Sequence, residues 1–197
     1  MRKRGASIQR GTQGFSLLEL LVTLAILIVL LTLMYGKSSQ IYQRQQKAAC
    51  RENLQTLHVG LQLYADDHAD AYPSVAGASS SEAPLALLIP QYLSTTQPFL
   101  CPGTKLPPIP EGTPLTRSSI SYAYFMGLRS TDSTQPLLSD AQVDTRLKLS
   151  GSLLFSTDGK GLGNNHDRFG GNVLFVDGRT EETRPKSGLV LTQAFGV

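Results

Sequence analysis

The chain contains no tryptophan, no acid before Glu19, no proline before Pro73 and only two cysteines. It also lacks an HExxH pair, a Gly-x-Ser-x-Gly elbow and any internal repeat, which removes the zinc-peptidase and serine-hydrolase templates. With aromatics at 7% and 18 glycines beside 11 prolines, the expected core is small and the loops long. The acid-free start distorts the charge balance. The formal net charge of +3 belongs to the first 14 residues, which hold 4 of the 18 cations and none of the 15 acids. From residue 15 onward 14 cations face 15 acids, a net charge of −1, so the alkaline pI is no argument for a nucleic-acid partner.

What is present begins at one junction. After the cationic leader (Arg2, Lys3, Arg4, Arg10), an apolar run extends from Phe15 to Tyr35 with Glu19 as its only charge. As a helix, about 21 residues cross a hydrocarbon core of about 30 Å. The positive-inside rule keeps the leader cytoplasmic and exports everything after the run. A carboxylate at the centre of such a span costs roughly 2.5 to 3.5 kcal/mol, and less near its end. Snorkelling of Glu19 to the headgroups is one plain reading of it. A secretory signal peptide is another, but the run is long for one, carries an acid and lacks a small-x-small cleavage site.

The string Gly14-Phe15-Ser16-Leu17-Leu18-Glu19-Leu20 behind a short basic leader closely resembles the prepilin cleavage and methylation signature. That signature marks type IV pilins and type II secretion pseudopilins. The resemblance implies that a membrane prepilin peptidase cuts after Gly14 and methylates the new N-terminus, Phe15. It also implies that Glu19 is the acid used in assembly. Implied partners are that peptidase, other pilin or pseudopilin subunits, an inner-membrane assembly platform and membrane lipid. The implied location is the inner membrane, single-pass, with the head exported to the periplasm or a surface filament.

Beyond the membrane the helix is expected to continue. No proline occurs from Ser38 to Ala69, and Cys50, Leu54, Leu57, Leu61 and Tyr64 are spaced four, three, four and three, one face of a helix. A helix from Phe15 to about Ala69 would be roughly 80 Å long. Gly36 is its strongest breaker, at about 1 kcal/mol relative to alanine. Tyr72-Pro73 is the expected stop. Nine of the eleven prolines then fall between Pro73 and Pro114, a loop-dominated segment with one short helix over 82–89, N-capped by Ser81. Short strands are expected over 119–125, 136–139, 153–156, 173–176 and 180–184. Asp177-Gly178 reads as a two-residue hairpin turn with positive φ at both positions.

The runs Ala49-Cys50-Arg51-Glu52-Asn53-Leu54, Tyr64-Ala65-Asp66-Asp67, Phe99-Leu100-Cys101-Pro102 and Ser121-Tyr122, and Asn165-His166 followed by Gly170 to Gly178, resemble one pseudopilin-like subgroup. Its members end in a His followed about ten residues later by Asp-Gly. This second resemblance implies architecture more than role.

His166 with Asp140, Asp158, Asp167 and Asp177 has the outline of a metal or general-base cluster, but no second histidine lies nearby. The simpler expectation is that His166 makes loop hydrogen bonds holding a turn, and that Asp177 and Gly178 serve their hairpin. The segment Asp158 to Asp167 loosely resembles the calcium loop of major type II pseudopilins. Calcium takes six to eight oxygens, and here Lys160 stands among too few carboxylates. No cofactor or metal is expected, calcium near Asp158 and Asp167 being the one weak exception. In an oxidising compartment Cys50 and Cys101 read as one disulfide, worth roughly 4 kcal/mol on the chain-entropy model. The alternative is two small buried hydrophobes.

The expected fold class is α+β: a long N-terminal helix, membrane-spanning in its first half, packed on a small antiparallel β-rich head in a pilin-like layout. The expected segments are a leader at 1–14, a transmembrane helix at 15–35, a helical stalk at 36–70, a Pro-rich segment at 71–118 and the head at 119–197. The expected function is a structural subunit of a type II secretion pseudopilus or related type IV pilus-like filament, not an enzyme. The alternative is a membrane-anchored minor pilin that binds a secreted substrate, a surface or DNA. A tethered hydrolase using His166 is a third and weaker reading.

Overall fold

The computed structural model describes residues 15–104, 106–116, 118–141, 154–155, 165–166 and 169–183, with 34–40 described by backbone alone. The chain forms two compact units, Met1–Gln40 and Ile41–Val197. Helix α1, Leu17–Asp67, is the first element. Its start is set by Ser16, whose carbonyl accepts the Leu20 N–H at 3.1 Å.

In the first unit, apolar residues on all sides of α1 are exposed, between 80% at Leu17 and 46% at Val22, with Glu19 the one charge among them. The hydroxyls there do not break this surface. Thr23 donates to the Leu20 carbonyl at 2.9 Å and Thr32 to the Val29 carbonyl at 2.8 Å. A helix apolar all round is built to be surrounded by lipid or other helices. Among the described residues, however, no helix is long and apolar enough to cross a membrane.

The second unit is organised by the rest of α1. Cys50, Leu54, Leu57, Leu61 and Ala65 are completely buried and form the helix's contribution to the core. The final position of the stripe is Ala65, with Tyr64 only partly buried beside it. The helix ends before Tyr72-Pro73. Ala69 and Asp70 take left-handed φ values of 53° and 64°, and the Asp70 N–H reaches back to the Ala65 carbonyl at 2.9 Å. That six-to-one bond is a Schellman-type stop, which closes the helix at Asp67.

The proline-rich segment holds α2, Glu82–Ala86, and a 3-10 turn, Gln97–Phe99. Leu85, Leu88 and Phe99 carry it into the core. Ser81 stands at the N-cap of α2 without capping it; its Oγ accepts the Tyr124 N–H at 3.0 Å instead. The cap is lost to a strand tie.

Strands β1 (Tyr122–Tyr124), β2 (Pro136–Asp140), β3 (Asn172–Phe175) and β4 (Thr180–Glu182) form an antiparallel sheet in chain order. The register pairs Tyr122 with Asp140, Leu138 with Leu174, and Leu174 with Thr180. Strand alternation places Leu138, Asp140, Asn172 and Leu174 on one face. This face meets the helix, because Asn172 bonds the Lys47 carbonyl at 3.0 Å. The other face carries Val173 and Phe175 against Leu154 and Phe155. Residues 154–155, expected in a strand, are buried without pairing into the sheet. With apolar cover on both faces, all of β2 is buried.

The β3–β4 hairpin differs from the expected two-residue turn. The Gly178 N–H bonds the Phe175 carbonyl and the Phe175 N–H bonds the Arg179 carbonyl, enclosing three loop residues. Only Gly178 is left-handed, at φ 82°, so Asp177 sits in the ordinary turn region and its Oδ1 accepts the Arg179 N–H at 2.9 Å.

Candidate functional site

Two polar features stand out from this apolar architecture. One is Glu19, an exposed acid in the first turn of α1 among exposed leucines. Phe15, at 76% exposure, precedes it. Gly14 and the rest of the leader lie outside the described residues.

The other is buried where α1, the 100–102 segment and one end of the sheet converge. Lys47 and Cys50, three apart, share the buried helix face. Cys50 is joined to Cys101 by a disulfide with Cα atoms 5.1 Å apart. Helix side chains on either side of Cys50 grip the segment that carries Cys101. Gln46 donates to the Pro102 carbonyl and Asn53 to the Leu100 carbonyl, each at 2.9 Å. Ser121 accepts the Cys101 N–H at 3.1 Å, and the Gly103 N–H points at Cys101 Sγ at 3.3 Å. Gly103 is required by packing: a Cβ there would fall 2.5 Å from the Asn165 carbonyl oxygen and 2.8 Å from His166 Nδ1.

His166 enters from the opposite side. Asn165 donates to the Ser121 carbonyl at 2.8 Å, and the His166 carbonyl holds a turn through the Phe169 N–H at 3.0 Å. The imidazole itself turns inward, completely buried, with Nε2 3.4 Å from Cys101 Sγ and 3.3 Å from Asp140 Oδ2. Asp140 Oδ2 also accepts the Asn172 N–H at 2.8 Å and the Asn172 amide at 2.9 Å. Its Oδ1 is buried with no hydrogen-bond partner among the described residues.

Lys47 closes the cluster. Its ammonium donates to the Phe169 carbonyl at 3.1 Å and to the Thr183 carbonyl, and lies 4.0 Å from Glu182, which also pairs with Arg51 at 3.3 Å. Burial holds its pKa below the ordinary lysine value, with Glu182 and Asp140 opposing the shift.

Of the acids grouped with His166 in the sequence, Asp140 is the one among the described residues that meets it. Asp177 belongs to the β3–β4 hairpin, while Asp158 and Asp167, the calcium candidates, lie outside the described residues. Sequence reasoning missed Lys47 and Asn172. Lys47 had a signal, since it extends the Cys50 stripe by one step. Asn172 had none. Cys50, Cys101, Asp140 and His166 offer ligand atoms that all lie within 4.8 Å of one another.

Residues 9–35 match the family model of the prokaryotic N-terminal methylation motif. The chain thus carries the type IV pilin/pseudopilin signature, on the helix that begins the structure. No curated protein and no solved structure matches the chain.

Proposed function

We propose that this type IV pilin-like chain is a structural subunit of a type II secretion pseudopilus or a related pilus-like filament. In this reading prepilin peptidase cuts after Gly14 and methylates Phe15, and the inner membrane holds the helix until an assembly platform extracts it. The observation that carries the reading is the methylation motif at residues 9–35, laid on a helix start that is exposed and apolar all round except for Glu19. Such a surface has use only when covered. Lipid covers it before assembly and neighbouring subunits cover it after. The chain works by packing, without turnover. In the filament a buried Glu19 requires a partner, and the new ammonium at Phe15 of an adjacent subunit supplies it, fixing axial register.

Intact-mass measurement of membrane-extracted protein should give a chain beginning at N-methylated Phe15, and Gly14→Leu should abolish cutting. A wild-type mass retaining residues 1–14 in a peptidase-competent cell refutes the reading. Glu19→Val should be inserted and cut yet absent from sheared filaments; normal filament yield disposes of the charge-pair mechanism.

A binding role as a minor pilin has one observation in its favour. Tyr64 stacks on His68 with ring centroids 3.8 Å apart, and Tyr92 meets Tyr64 edge-on at 5.4 Å, forming a partly exposed aromatic platform. If it recognises a partner, Tyr92→Ala should leave filament yield intact and abolish secretion. Unchanged secretion refutes that role.

A further inference from the structure

We propose that Cys50, Cys101, His166 and Asp140 form, in the dithiol state of the chain, a buried four-coordinate site for a zinc-class divalent cation. The disulfide and the metal are alternative occupants of one position. This inference is independent of the filament role.

The ligand set is the first argument. Two thiolates, an imidazole and a carboxylate are the donors that tetrahedral zinc takes, at about 2.3 Å for sulfur and about 2.0 to 2.2 Å for nitrogen and oxygen. Tetrahedral angles with those bond lengths put neighbouring donors roughly 3.3 to 3.8 Å apart. The separations of His166 Nε2 from Cys101 Sγ, 3.4 Å, and from Asp140 Oδ2, 3.3 Å, fall in that range. All four donors lie within 4.8 Å of one another, in residues no more than 1% exposed.

The surroundings are the second argument. The buried Oδ1 of Asp140 has no hydrogen-bond partner among the described residues, so the carboxylate keeps acceptor capacity that a cation held at Oδ2 could share by a small rotation of the group. Asn172 fixes the same carboxylate through two hydrogen bonds, the outer-shell support that ligating carboxylates receive. The Gly103 N–H directed at Cys101 Sγ stabilises a thiolate there. Two thiolates, one carboxylate and a divalent cation leave one negative charge, and the ammonium of buried Lys47 acts on Asp140 to offset it.

The chemistry balances in both directions. Binding replaces two thiol protons by one divalent cation and releases both protons. Oxidation by a disulfide-bearing thiol oxidant moves two electrons to that oxidant, forms the Cys50–Cys101 bond and frees the cation. The oxidant takes up two protons and leaves as two thiols. A newly exported chain, still reduced, would thus have its helix, its 100–102 segment and its sheet gathered around the metal before the covalent bond forms.

The test uses the full chain in detergent micelles, reduced with a phosphine and titrated with Zn²⁺ and Co²⁺. One equivalent should bind. Co²⁺ should give thiolate-to-metal absorption in the near ultraviolet and the strong visible bands of a tetrahedral centre. Zn²⁺ should protect both cysteines from alkylation, and the oxidised chain should bind neither ion. His166→Gln should remove the tetrahedral signature, and Asn172→Ala should weaken binding by roughly 10- to 100-fold. Because those variants perturb a core, the comparison of reduced with oxidised wild type is read beside them. Failure of the reduced wild type to take up one equivalent overturns the site. So does an unchanged Co²⁺ spectrum in folded His166→Gln, which would mean a dithiol binding metal without the other two ligands.

Discussion

Tyr72, Tyr122 and Tyr124 are phenols held away from water. Burial is the largest cause for each, and it pushes Tyr72 up to about 12 from an ordinary 10.0, with Tyr122 and Tyr124 raised further. Tyr124 also donates to the Pro73 carbonyl at 2.8 Å, and Gln62 contacts the Tyr72 hydroxyl at 2.5 Å. A raised folded pKa means that the folded chain holds protons that the unfolded chain releases. The stabilisation is therefore complete below pH 10.0; the share of Tyr72 is lost as pH climbs through about 12, and the shares of Tyr122 and Tyr124 are lost over a wider range. In a spectrophotometric titration these three phenolates should form late, together with alkaline unfolding followed by circular dichroism. Reversible ionisation of all seven tyrosines near pH 10, with the fold intact, would contradict that burial. Lys47 acts in the opposite sense, since its lowered pKa relieves a penalty as pH rises toward 10.5. The net fall above pH 10 is expected because three tyrosines oppose one lysine.

At the scale of elements, the second part of α1 has one face that matters to the core and one that does not. Leu57 is completely buried, whereas Leu63, on the same helix, is 47% exposed. Leu57→Ala should cost about 2 to 5 kcal/mol in denaturant unfolding, and Leu63→Ala about 0.5 kcal/mol or less. Equal losses would mean that the helix face is misassigned. That face was legible in the sequence because residues four and three apart coincide on a helix whatever the chain does elsewhere. The final contact was not, since Tyr64 and Ala65 fit the spacing about equally well. Nor was the stop at Asp67, because an alanine at positive φ leaves no mark in a sequence and Pro73 drew attention past it. Most of the sheet was readable from short apolar runs between turn residues. Leu154 and Phe155 were the failure, because an apolar pair looks the same in a strand as in a buried loop. The polar cluster was half legible. Its cysteines and His166 stood out, but joining His166 to Asp140 rather than Asp177 requires the non-local register that seats Asp140 beside Asn172.

For the molecule as a whole, the filament role proposed above would place the chain under load, since subunits of filaments carry load. The Cys50–Cys101 bond then acquires a mechanical meaning. It bridges a sequence separation of 51 residues, so a chain pulled from its two ends passes force directly from helix to the residues beyond Cys101. Residues 51–100, the end of the helix and the first part of the proline-rich segment, lie outside the load path. At about 3.4 Å per extended residue, the bond conceals roughly 170 Å of contour length. Single-molecule stretching of the full chain should therefore show unfolded lengths differing by that amount before and after reduction, and equal lengths would mean that the bridge is absent. An oxidised subunit that yields under load stays short by that concealed length, which limits how far one failing link lets its neighbours separate.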